Sequence, residues 1–111
     1  MSFLEKIKEM GYELKDNEFN KIQIEKETKY SVFAVIFDMN DKYINACLQP
    51  KIIIHSDTDL TRLYNDWTLL KKDLRTFKEL CNYDILIDTQ ETLWKHIYTN
   101  LNTNIQKNTI F

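Results

Sequence analysis

The clearest periodicity in the chain runs through its centre. Leu60, Leu63, Trp67, Leu70, Leu74, Phe77 and Cys81 recur at alternating steps of three and four residues, the spacing of one helical face. Ser56-Asp57-Thr58-Asp59 supplies a capping hydroxyl and first-turn carboxylates, and Lys71, Lys72, Arg75 and Lys78 occupy the second half, where cations complement the helix dipole. The pattern predicts a helix over about 57–81, about 38 Å long at about 1.5 Å per residue. Its heptad seam can bury against a sheet or form a helix–helix dimer contact; burial in the core is the expected fate, and the chain is expected as a monomer or homodimer.

Upstream, Phe3, Ile7 and Met10 share a helical face behind Ser2, and Gly11 stands where a left-handed stop belongs, which predicts a short first helix over about 2–10. Tyr12 and Leu14 lead into a polar turn at 15–18. The residues from Phe19 to Glu25 alternate, with Ile22 and Ile24 opposite Lys21, Gln23 and Glu25, as in a half-exposed edge strand. Tyr30 to Asp38 is apolar on both faces, Val32, Ala34 and Ile36 against Phe33, Val35 and Phe37. If every helix lies on one side of the sheet, one of these sets is left facing outward, and such a patch marks an interface. A tight turn at 39–42 leads to a third strand over Tyr43–Gln49. Pro50 interrupts pairing, and residues 51–54 form an edge strand or a bend.

Downstream, Ile85, Leu86 and Ile87 make a short apolar linker or strand. Asp88-Thr89-Gln90-Glu91 resembles a capping box. Leu93, Trp94, Ile97, Tyr98 and Leu101 share one face of a last helix that ends near Leu101 among asparagines. Residues 106–111 are expected to be a mobile tail. The fold class is therefore α+β, in the order α-β-β-β-α-α. A three-stranded antiparallel meander, four-stranded if 51–54 pairs, packs against the long helix and two shorter ones as a single domain over 1–105.

Composition narrows the chemistry. The chain has 111 residues, one glycine and one proline, so it contains no glycine-rich phosphate loop. With 15 basic and 17 acidic residues the formal charge is −2, and non-specific nucleic-acid binding is not expected. No apolar run approaches a membrane span, the first residues do not read as a signal peptide, and Cys47 and Cys81 sit in apolar contexts. A reduced, cytoplasmic protein is the expectation. The lean towards Ile, Lys, Asn and Tyr is consistent with a low-GC bacterium or its mobile elements.

The histidines are His55 and His96. Neither has further ligands at metal-binding spacing, so no metal and no cofactor are expected. A Cys47–His55 or Cys81–His55 nucleophile pair is formally available, but apolar thiols are usually inert. Asp38 and Asp41 flank a turn and Asp57 and Asp59 open a helix, where Asp has a sufficient structural reason to be.

The order α-β-β-β-α is similar to that of double-stranded-RNA-binding domains. Those carry a basic N-terminus on the helix that touches phosphate, whereas this helix opens on Asp57 and Asp59, which argues against RNA binding. The order α-β-β-β-α-α also resembles that of some small phage-encoded inhibitors of bacterial defence, including certain anti-CRISPR proteins. This likeness is one of layout, and no residue is carried across.

The sequence thus leads to a non-catalytic protein-binding module, an inhibitor or regulator that blocks a larger bacterial protein. The partner-binding residues expected are Asp38, Asp41, Asp57, Asp59 and Asp66. The alternatives are an immunity protein or antitoxin, which a neighbouring toxin gene would favour, and a small enzyme using His55, Cys47 or the aspartates, which needs those groups to converge.

Overall fold

A computed structural model describes residues 2–86. Within them the chain is α+β, with a five-stranded mixed sheet and two helices. Helix α1 spans Phe3–Glu9 and is opened by a capping box in which Ser2 and Glu5 each bind the other's backbone N–H. Gly11 follows at φ +93°, a conformation that suits a residue without Cβ. The strands are β1 (Glu13–Glu18), β2 (Lys21–Glu27), β3 (Ser31–Asp38) and β4 (Tyr43–Pro50), then helix α2 (Asp57–Cys81) and β5 (Asp84–Leu86). The sheet order follows the sequence order, β1 to β5.

Three features differ from the sequence expectation. Residues 13–18 are a strand, where a polar turn is expected over 15–18. All six side chains are exposed, so no apolar alternation announces the strand; backbone pairing with β2 holds it. The second strand begins at Lys21 rather than Phe19, because Phe19 and Asn20 form the two-residue turn. Both have positive φ, 51° and 63°, the geometry of a type I′ hairpin turn. Finally, the sheet is not a pure meander. β5 pairs in parallel with β4, which requires a crossover, and α2 provides it. β4, expected as the third strand and ending at Gln49, reaches Pro50, and 51–55 is non-strand. The predicted last helix from Asp88 and the tail at 106–111 lie outside the described residues.

Helix α2 matches the predicted span. Ser56 accepts the Asp59 N–H, and Asn82 closes the helix in the left-handed conformation, donating to the Lys78 carbonyl at 2.7 Å. Leu63, Trp67, Leu70, Leu74 and Phe77 are fully buried, so the seam is core. They meet Ile24 of β2, Phe33, Val35 and Phe37 of β3, and Ile44, Ala46 and Leu48 of β4, joined by Ile7 and Tyr12. Edge-to-face contacts link Phe3 to Phe37, Phe37 to Phe77 and Phe77 to Tyr12, with centroids 5.2–5.5 Å apart.

Two polar contacts fix α2 on the sheet. Asp66 accepts hydrogen bonds from Thr28 Oγ1 at 2.8 Å and Ser31 Oγ at 2.7 Å, closing the β2–β3 turn. Asp66→Ala would leave the buried Ser31 hydroxyl without this acceptor and is expected to cost about 1–3 kcal/mol in urea unfolding.

Deeper along the helix, Asp73 accepts from the Tyr12 hydroxyl at 2.8 Å and pairs with Lys26 Nζ at 3.4 Å. Burial, then the neighbouring Asp73 carboxylate, raises the Tyr12 phenol well above its ordinary range. The folded chain keeps this proton where the unfolded chain would release it. The contribution to stability is complete below about pH 10, the ordinary tyrosine value, and declines above it by up to about 1.4 kcal/mol per pH unit. Urea midpoints measured from pH 8 to 11 should therefore fall above about pH 10, and Tyr12→Phe should flatten that fall.

Candidate docking face

Side chains alternate across a strand, so the pairing register divides the sheet residues between two faces. Ile22, Ile24 and Lys26, with their partners Phe37, Val35 and Phe33, face α2. The other face contains the outward set of the central strand, Val32, Ala34 and Ile36, all half-buried. Among the described residues no helix lies against it. Of the two outcomes open to the two-faced strand, the larger set Phe33, Val35 and Phe37 is inside.

The register orders this open face into rows. At the hairpin end Glu18, Lys21, Asp38, Tyr43 and Asp84 stand side by side. Next come Asp16, Gln23, Ile36, Asn45 and Leu86. Glu13, Glu25, Ala34 and Cys47 follow, and Glu27, Val32 and Gln49 complete the face. An apolar stripe thus crosses the middle of the sheet, with carboxylates concentrated along β1 and β2.

Shallow depressions mark the stripe. One of about 250 Å³ is lined by Asp16, Glu18, Phe19, Lys21, Gln23 and Ile36. A smaller one of about 60 Å³ adjoins Ala34, Ile36 and Cys47. A third of about 360 Å³ lies between Gly11, Glu13, Lys15, Glu25, Glu27 and Val32. Phe19 is 89 % exposed although its φ is positive, an outlier for a bulky side chain. Around it the two hairpin turns are tied together: Asn20 donates through Nδ2 to Asn40 Oδ1 at 3.1 Å, and Met39 N–H donates to the Asn20 carbonyl at 2.8 Å.

The charges on this face are partly compensated. Lys51 donates to Glu27 at 2.8 Å and holds its carboxyl below the ordinary range. Lys15, the extra residue at a bulge in β1, reaches Glu13 at 3.3 Å. Glu25 accepts from Gln23 at 3.2 Å but stands directly opposite Glu13.

The five aspartates expected at a partner site do not fall together. Asp38 belongs to the first row of the open face, and its Oδ1 accepts the N–H groups of Asn40 and Asp41. Asp41 is exposed in the adjoining turn. Asp57 and Asp59 open α2, beyond the Pro50 end of β4, and Asp59 accepts the His55 N–H at 3.0 Å and meets Arg62 at 3.4 Å. The hydrogen bond from His55 is the main cause of its lowered carboxyl pKa. Asp38 pairs with Tyr43 while Ser31 pairs with Pro50, so the full length of β3, about 23 Å at about 3.3 Å per residue, separates the two groups. Asp66 is occupied by Thr28 and Ser31.

Cys47 is on the open face and Cys81 packs on the core side, where burial raises its thiol; the sheet stands between them. His55 is exposed in the connection before α2, and His96 lies outside the described residues. Among the described residues no three His, Cys, Asp or Glu side chains are grouped to hold a metal ion, and no helix is long and apolar enough to cross a membrane.

Phe19 and the carboxylates of β1 carry no sequence signal that marks them as part of a site. The alternation of Lys21, Gln23 and Glu25 was a visible signal for part of this face. The strand that extends it carries no apolar pattern. A depression of about 480 Å³ on the other side of the molecule, along α2, is lined by Asn65, Thr68, Leu69, Lys71, Lys72 and Arg75. Its one apolar lining residue, Leu69, stands among polar and cationic side chains.

The chain matches no protein-family model, no curated protein and no solved structure.

Proposed function

We propose that this chain is a non-catalytic protein-binding module whose docking surface is the open face of the sheet. It would act as an inhibitor or regulator by occupying a surface of a larger protein. The observation that carries this reading is the half-buried stripe Val32, Ala34 and Ile36 on the central strand, bordered by carboxylates. An apolar patch with a polar rim is the usual anatomy of a protein interface. Asp38 and Asp41 would lie at its hairpin edge.

The test is affinity capture from the native host with the wild-type chain, identification of the bound protein, and reconstitution of the complex from purified components. Ile36→Asp places a charge in the stripe without touching the buried core. It should abolish the reconstituted complex while the chain still unfolds cooperatively, at a cost of about 1 kcal/mol for an aspartate in a central strand. A complex indifferent to Ile36→Asp would place the interface elsewhere.

A further inference from the structure

We infer that the open face receives a cationic protein segment with alternating apolar side chains, and that Phe19 is its anchor. This inference rests on the docking reading above and specifies the chemistry of the partner.

Charge complementarity is the first ground. The paired rows of this face carry three carboxylates from β1, two from β2 and one each from β3 and β5, against Lys21. Lys15 and Lys51 reach two of them, so a clear negative excess remains. The whole chain has only two more acidic than basic residues. The acidity is therefore placed, and it surrounds an apolar stripe. A partner that is apolar alone would strip water from these carboxylates without compensation, whereas lysine or arginine at alternate positions would meet them.

The second ground is a pair of local arrangements that the fold by itself does not favour. Glu13 and Glu25 are direct cross-strand partners, and like charges in that position repel. A cation from a partner would bridge them. Phe19 occupies a left-handed turn position where glycine or asparagine would be unstrained, and it leaves 89 % of its surface in water. It overhangs the depression that also contains Ile36, Asp16 and Glu18. A large aromatic side chain at the corner of an apolar stripe is the type of residue that interfaces enrich.

These two features give opposite signs for folding and for binding. Phe19→Gly and Glu13→Gln/Glu25→Gln should leave the unfolding midpoint unchanged or raise it. Both should weaken the complex. The probe is a short synthetic peptide alternating lysine and leucine, titrated into the isotope-labelled full chain and followed by NMR. The amides of Val32, Ala34 and Ile36 should shift. Phe19→Gly should raise the dissociation constant about tenfold, the scale of a modest hot spot, and the double glutamine variant should raise it several-fold. Added salt should weaken binding to the wild type more than to the double variant.

Any one of five results overturns the inference. One is a lysine–serine peptide that binds as tightly as lysine–leucine, which reduces the effect to bulk charge. Another is a set of shifts that maps to α2. A third is contact from residues 88–101 to Val32 and Ile36, by which the chain covers its own face. A dimer that Ile36→Asp dissociates would assign the face to a second copy. If the complex captured from the host is lost with Ile36→Asp but indifferent to Phe19→Gly and the glutamine pair, the docking function survives and this account of the partner falls.

Discussion

Leu70→Ala should lower the free energy of unfolding by about 2–5 kcal/mol and leave the oligomeric mass unchanged. Leu70 lies at the middle of α2, fully buried between Trp67 and Leu74 on the seam that packs against the sheet. Truncation removes three heavy atoms of favourable transfer and leaves a cavity. Neighbouring rings such as Trp67 and Phe77 cannot fill it without leaving their packed positions, because interiors are close-packed. The measurement is a urea transition with the slope monitored, paired with sedimentation of both proteins. A seam that served chiefly as a dimer contact would behave otherwise: the mass would fall by half at little cost to the folded monomer.

Asp73→Ala is expected to cost about 3–5 kcal/mol, the usual penalty for removing one member of a buried charged pair. Asp73 is 8 % exposed. Its carboxylate satisfies the buried Tyr12 hydroxyl and neutralises Lys26, whose ammonium also lies 5.4 Å from the Tyr12 ring. Removing it leaves one buried donor and one largely buried cation without that acceptor. Combining Asp73→Ala with Tyr12→Phe and Lys26→Met removes the orphaned groups as well and should recover much of the loss. Recovery by the triple variant, measured in the same urea experiment, separates a charge effect from a packing effect.

The long helix was legible in the sequence because its signals agree. Cap, first-turn carboxylates, heptad spacing and cationic second half all indicate the same span. The central strand was legible as two-faced, and the sequence restricted the outward set to one of two alternatives. Choosing between them required knowing which side α2 covers, and the larger Phe33, Val35 and Phe37 set is the one it buries. β1 was illegible because an edge strand held by backbone pairing needs no apolar alternation. β5 was too short for any period to register, and its parallel partnership depends on α2 returning the chain to the start of β4.

The candidate surface shows the same division. Asp38 and Asp41 could be named from the sequence, but so could Asp57, Asp59 and Asp66, and nothing in their spacing revealed that β3 would hold the two groups apart. The carboxylates of β1 became part of a face only through the register that aligns Glu13 with Glu25 and Glu18 with Lys21. Phe19 reads as an ordinary strand residue until the turn is seen to demand positive φ at its position.

The sequence by itself determined the local elements whose periodicity, caps and dipole signals act within a few turns of chain, above all α2, α1 and the apolar strands. Tertiary structure decided which side of the sheet is covered, which polar segments become strands, and where charge accumulates. Those outcomes depend on pairing and packing between residues distant in the chain, and no local pattern encodes them.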